Sequence, residues 1–192
     1  MVCAWRQVLI EAGAAIPRRN VERLVRNCHN RLTTNVQRRM DLVVTRLGVN
    51  RGLPLLCDVT VVSPVTGTGL ARSGSLTING GAVETARRHC RDVDYPEVVT
   101  SNAARLYSLG VEVFGRWGSD SLSLIRATAR DAVSGLPRRV RLSTQTRLLR
   151  RWWGLLGLAN QRAIAVQVAE GASADLQGTL SEPAPLLADL PC

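Results

Sequence analysis

Leu55-Leu56-Cys57-Asp58-Val59-Thr60-Val61-Val62 is the stretch that sets the fold class of this chain. It is a run of apolar and β-branched residues, closed by Ser63-Pro64, and such a run predicts a strand. Just upstream, Asp41-Leu42-Val43-Val44-Thr45 has the same character, and Asn50-Arg51-Gly52 punctuates the gap between them. Two β runs joined by a short glycine-containing connection predict a hairpin. Each run carries one acid, Asp41 at the start of the first and Asp58 inside the second.

Working outward, residues 3 to 12 place Trp5, Val8, Leu9 and Ala12 on one helical face, with Gly13 as a stop. Residues 20 to 28 are compatible with a helix (Val21, Leu24, Val25, Cys28) or a strand, and residues 29 to 37 read as polar loop. Downstream, residues 64 to 82 hold five glycines and read as a long loop of the kind that is either functional or disordered. Residues 83 to 93 return to helix, and Ala104–Phe114 alternates as a third strand. Ser119 is placed to cap a helix from Asp120 to about Ala132. A basic link, Pro137-Arg138-Arg139-Val140-Arg141, leads into a long amphipathic helix over residues 142 to 168. From Gly171 on, the periodicity is lost and a disordered acidic tail is expected.

The order α, (α or β), β, β, α, β, α, α predicts an α/β fold with a mixed sheet flanked by helices. Three regions are expected: an α/β core over residues 1–135, a basic linker and C-terminal helix over 136–169, and the tail over 170–192.

Charge narrows the function classes. All 25 basic residues are arginine, and the chain has no lysine. Before residue 170 those 25 arginines face 11 acids, an excess of 14. A GC-rich coding sequence would exchange lysine for arginine, but it does not explain the excess of base over acid. Such a body favours a polyanion, DNA or RNA. The five cysteines are scattered with no CxxC pair, which argues against a disulfide framework or a zinc knuckle. Cys28-His29 and His89-Cys90 are adjacent pairs whose side chains diverge on a regular element, so a metal site made of all four is not expected. No apolar run is long enough to span a membrane, no secretory leader is visible, and an intracellular location is expected. Phosphate-loop, dinucleotide-fingerprint and nucleophile-elbow motifs are absent from the sequence.

Paired acids on neighbouring strands carry a chemical implication. Buried side by side they raise each other's proton affinity unless a cation lies between them. Mg²⁺ suits such a pair, taking one or two carboxylates plus water and phosphate oxygens. Metal-assisted phosphodiester cleavage needs little more. The competing reading is two solvated strand residues.

An ordered series of motifs resembles one family. Arg39-Met40-Asp41-Leu42-Val43-Val44, Cys57-Asp58-Val59-Thr60-Val61-Val62-Ser63-Pro64, Arg91-Asp92-Val93-Asp94-Tyr95-Pro96-Glu97, Gly110-Val111-Glu112-Val113-Phe114-Gly115-Arg116-Trp117 and Leu149-Arg150-Arg151-Trp152-Trp153-Gly154 resemble the restriction-like endonuclease region at the C-terminus of non-LTR retrotransposon polyproteins. The resemblance covers roughly residues 1 to 168. It implies a restriction-endonuclease-like (PD-(D/E)XK-type) fold in which Asp41 and Asp58 are the two metal-binding acids. Thr60 stands where that fold usually has lysine. In the retrotransposon branch the lysine moves to the following helix, four residues before a tyrosine, and Arg91 stands there before Tyr95. Arginine keeps the charge but cannot act as a base. An upstream glutamate of the family corresponds to Glu11 or Glu22. Glu112 is a third candidate ligand, or else a structural partner of Arg116 or Arg105.

The resemblance thus implies a Mg²⁺-dependent endonuclease that nicks target DNA for reverse transcription, with Asp41, Asp58 and Arg91 as catalytic residues, a nuclear location, and other parts of a polyprotein as partners. Arg38, Arg39, Arg87, Arg88, Arg116, Arg150 and Arg151 are the candidate phosphate ligands. The alternative is a non-catalytic basic module that binds nucleic acid. Trp152 and Trp153 are expected mainly as core residues of an amphipathic helix, with base stacking as the other use.

Overall fold

The computed structural model describes residues 1–17, 21–25, 28, 38–76 and 80–180, of which residues 50, 51 and 171–180 are described by backbone alone. The element order is α1 (Val2–Glu11), β1 (Val21–Leu24), β2 (Arg39–Val44), a 3-10 turn (Val49–Gly52), β3 (Leu55–Val62), α2 (Gly81–His89), a π turn (Cys90–Asp94), α3 (Pro96–Thr100), β4 (Arg105–Glu112), α4 (Ser119–Ala132) and α5 (Arg138–Leu180). The four strands form one mixed sheet in the order β1-β2-β3-β4. β1 runs antiparallel to β2 and β2 antiparallel to β3, while β4 is parallel to β3.

The β2–β3 hairpin matches the reading of residues 41 to 62. The segment open between helix and strand is strand β1. Its few residues, Val21-Glu22-Arg23-Leu24, pair with β2, and tertiary pairing decides where local periodicity does not. The chain must cross from the end of β3 to a parallel β4, and the long loop with α2 and α3 supplies that crossover. Ser119 is not the cap of α4. Gly118 occupies the cap position, Ser119 is the first helical residue, and its N–H donates to Glu84 Oε1 at 2.6 Å. α5 begins directly after Pro137 and runs to Leu180, through the former linker and past residue 169.

Helices cover both faces of the sheet. On one face α1, α4 and α5 enclose a core of Trp5, Leu9, Leu42, Leu55, Cys57, Leu109, Leu124, Ile125, Trp152 and Leu156. On the other, the α2–α3 side, a smaller core gathers Met40, Val43, Leu56, Cys90, Tyr95, Val98 and Leu106. Alternation along β3 sends Cys57 to the first core and Leu56 to the second. α5 docks through Trp152, Leu156 and Asn160, all buried at four-residue spacing. Trp117 meets Trp5 edge-on at 6.2 Å and Trp153 at 5.1 Å, tying α1, the β4–α4 turn and α5 together. Among the described residues, no helix is long and apolar enough to cross a membrane.

Gly110 on β4 lets α2 approach the sheet closely, since a Cβ there would run into the Val83 side chain. That close approach sets the position of α2 over β3 and β4.

Candidate functional site

The hairpin brings Asp41 and Asp58 together. Leu42 pairs with Cys57, so one further step of the same register sets Asp41 opposite Asp58. Side-chain alternation breaks at Asp41, because Met40 packs with Val43 on the α2–α3 side while Leu42 packs on the other. The Asp41 carboxylate turns toward β3 and accepts the Val59 backbone N–H at 2.7 Å. It thereby takes the place of a ladder carbonyl.

Both acids are held against their ordinary ionisation. Burial pushes Asp41 up, opposed by the Val59 N–H and reinforced by the negative charge of Glu22. Burial pushes Asp58 up to about 6, with the charges of Asp41 and Asp94 adding to it. Glu22 lies between the pairs Val21–Leu42 and Arg23–Met40, and so at the level of Asp41. Of the two glutamates suggested by the sequence, Glu22 is the one beside the acid pair. Glu11 is committed elsewhere: it accepts from Arg151 at 2.8 and 3.0 Å and from the Trp152 indole N–H at 3.0 Å. Glu22, Asp41 and Asp58 thus fall on three successive strands. Among the described residues, however, no group of three or more His, Cys, Asp or Glu side chains converges as a ready metal cage.

Asp58 opens onto a cleft of about 430 Å³ between β3 and α2. Asp58, Thr60 and Val62 form its β3 wall, Ala82, Thr85, Ala86 and His89 its helical wall, and Arg72 and Ser73 of the glycine-rich loop face them. Cys90 and Asp94 close the Asp58 end. The Cys90 thiol is pushed up to about 12 by burial and by Asp58. Tyr95 donates its hydroxyl to the Arg39 carbonyl at 2.8 Å, with Asp58 Oδ1 at 3.5 Å. That hydroxyl pins the start of β2 to the π turn beside Asp58. His89 Nε2 lies 3.7 Å from Asp94 Oδ1.

The other sequence candidates fall in different places. Arg91 sits half-buried in the π turn and is not among the residues lining the cleft. Glu112 lies at the far end of β4, paired in register with Val62, four residues on from the Asp58–Ser108 pair. That is about 13 Å along the strand. It is buried, and its carboxylate accepts from Val83 N–H at 3.4 Å in the first turn of α2. The structure does not bring it to the acid pair, and its side-chain contact is with α2 rather than with Arg105 or Arg116. Three of the candidate phosphate arginines have partners inside the fold. Arg38 donates to the carbonyls of Val93 and Asp94. Arg87 pairs with Glu84 at 2.6 Å and Asp120 at 3.8 Å, and Arg151 with Glu11 at 2.8 Å. Arg39, Arg88, Arg116 and Arg150 are exposed, with Arg88 donating to Thr85 Oγ1 at 3.2 Å. Trp152 is fully buried and Trp153 partly so, which makes both packing residues. Cys28 and Cys90 share the smaller core, while His29 lies outside the described residues.

Arg72, His89 and Asp94 are charged or titratable cleft residues that sequence reasoning did not select as site residues. The signals for them were the long glycine-rich loop around Arg72 and the helical spacing of Ala82, Thr85, Ala86 and His89. The chain matches no protein-family model and no curated protein.

Proposed function

We propose that the chain is an endonuclease-like, nucleic-acid-binding domain of a non-LTR retrotransposon polyprotein, with a restriction-endonuclease-like fold. Asp41 and Asp58 would hold a divalent cation. The observation that carries this reading is the meeting of two acids on adjacent antiparallel strands, with Asp58 lining a cleft and pushed up to about 6. The mixed sheet with helices on both faces and the excess of 14 arginines over acids before residue 170 support it.

The donor set fits Mg²⁺: two carboxylates, both raised above their ordinary value by burial and neighbouring charge, whose repulsion a cation would relieve. When bound, the cation would supply Lewis-acid polarisation of a phosphodiester and lower the pKa of a bound water. The chain's own residues do the rest. Val59 N–H and the Tyr95 hydroxyl fix the two strands at the acid pair, and the exposed arginines position the phosphate backbone without reading sequence. Without a lysine, turnover is slow. The domain works on nuclear DNA alongside the other parts of its polyprotein.

Nicking of supercoiled plasmid in Mg²⁺ or Mn²⁺ tests the proposal. The wild type should nick, and Asp41→Asn and Asp58→Asn should not, while still binding DNA. No nicking by the wild type with any divalent metal removes the enzymatic reading. A second reading, binding without cleavage, is favoured by the position of Arg91 outside the cleft that holds Asp58. Under it, DNA binding persists in every variant and no metal supports nicking.

A further inference from the structure

Arg72 has a guanidinium with no ion-pair or hydrogen-bond partner among the described residues, although its backbone is firmly tied. Its N–H donates to the Pro64 carbonyl at 2.9 Å. Its carbonyl accepts from Ser75 N–H at 3.0 Å and from Ser75 Oγ at 2.7 Å. Ser75 is itself buried, and its hydroxyl also lies 3.0 Å from the Pro64 carbonyl. The loop therefore presents the Arg72 side chain from a fixed point next to the end of β3, along the same cleft that Asp58 closes at its other end. The walls between them carry small side chains, Val62 and Thr60 on β3 and Ala82, Thr85 and Ala86 on α2.

We propose that Arg72 is the phosphate-positioning residue of this cleft, holding the DNA backbone next to the phosphodiester that faces Asp58. The inference rests on the endonuclease-like reading above and assigns to Arg72 the role that the motif series gives to Arg91. Asp58 and Val62 are four residues apart on β3, about 13 Å. Phosphates of one strand advance about 3.4 Å per step along a duplex axis, so a strand lying in the cleft presents more than one phosphate to it. A guanidinium matches a phosphate with two parallel N–H donors. It keeps its charge at any working pH, so it positions rather than transfers a proton. The carboxylates of Asp58 and Asp94 repel a phosphate at their own end unless a cation is present, so the phosphate contact that needs no cation is the one at Arg72.

The test is fluorescence anisotropy of a labelled DNA duplex in Ca²⁺, across a salt series, with the full chain. Arg72→Ala removes a solvent-exposed side chain and leaves the backbone bonds of the loop in place. It should weaken binding about five- to tenfold and reduce the salt slope by about one. Arg91→Ala should bind as the wild type does. Arg72→Ala binding as tightly as wild type, or Arg91→Ala losing as much as Arg72→Ala, overturns the assignment. A wild type that does not bind DNA overturns both this inference and the reading beneath it. A wild type that binds through Arg72 yet never nicks plasmid removes only the endonuclease activity.

Discussion

The Asp41 carboxylate takes the Val59 backbone N–H at 2.7 Å, so a side chain of β2 completes the hydrogen bonding of β3 at the level of Asp58. The bond fixes one carboxylate oxygen in the sheet and holds the charge of Asp41 next to Asp58. The hydrogen bond stabilises the charged form of Asp41, and that charge is one of the causes holding Asp58 protonated to higher pH. The two acids are therefore unequal, with different consequences when each is changed.

Asp58 should make stability fall as pH rises. Its folded value of about 6 lies above the ordinary 3.8, so the native state binds the proton more tightly than the unfolded chain. Its effect is absent below about pH 4, grows between about 4 and 6, and is complete above that range. The shift corresponds to about 2–3 kcal/mol at neutral pH. Asp58→Asn removes the ionisation. Thermal melts at pH 7.5 should show the variant more stable than wild type, with the gap narrowing toward pH 4. A gap that is constant with pH would mean that Asp58 is not held protonated by its surroundings.

A divalent cation should reverse that penalty. Mg²⁺ or Ca²⁺ bound by Asp41 and Asp58 stabilises the native state by mass action. The melting midpoint of the wild type should climb with cation concentration at pH 7.5, and much less at pH 5, where Asp58 is protonated. Asp41→Asn and Asp58→Asn should lose the climb. An equal response in wild type and both variants would place the cation elsewhere.

Glu11 is worth more to the fold than its place near the chain start suggests. It accepts from Arg151 and from the indole N–H of Trp152, whose ring is fully buried. The Arg151 hydrogen bond, with further help from Gln7 and Trp152, holds its carboxyl down at about 2. The stabilisation is therefore present above the ordinary value of 4.5 and is lost as pH falls toward 2. Glu11→Ala leaves the Trp152 N–H without its acceptor, at a cost of about 1–3 kcal/mol. Arg151→Ala leaves that acceptor in place and should cost less. Denaturant unfolding of the two variants at pH 7 ranks them, and the opposite order would show that the exposed ion pair dominates.

The strands carrying Asp41 and Asp58 were legible in the sequence because β-branched runs and a glycine-punctuated connection are local signals. β1 was not, since four residues with mixed polarity become a strand only by pairing with β2. The acid pair was legible as two residues on neighbouring strands, but the in-plane turn of Asp41 toward Val59 depends on a break in alternation that no spacing reveals. Glu112 looked like a third ligand because it lies on an adjacent strand. The parallel register, which depends on the crossover length, carries it to the far end of the sheet beside Val62. Arg72 was hidden for a related reason: a loop residue faces the cleft only because the loop folds back onto Pro64.

Gly110 and Gly157 should respond in opposite directions to the same substitution. A Cβ at Gly110 would run into Val83 on α2, whose distance from the sheet sets the cleft between β3 and the helix. Alanine there must push α2 outward or force Val83 off its rotamer, costing about 1–3 kcal/mol. Gly157 lies inside α5 with nothing within 4 Å of an added Cβ. Alanine there reduces the freedom of the unfolded chain and should stabilise by about 0.5–1 kcal/mol. Because α2 carries His89 and the wall facing Asp58, Gly110→Ala should also weaken DNA binding, whereas Gly157→Ala should leave it unchanged. Urea unfolding and anisotropy on the pair separate the two effects. A Gly110→Ala variant as stable as wild type would show that α2 is not seated against β4 at this point, and the cleft would lose the wall on which the Asp58 site depends.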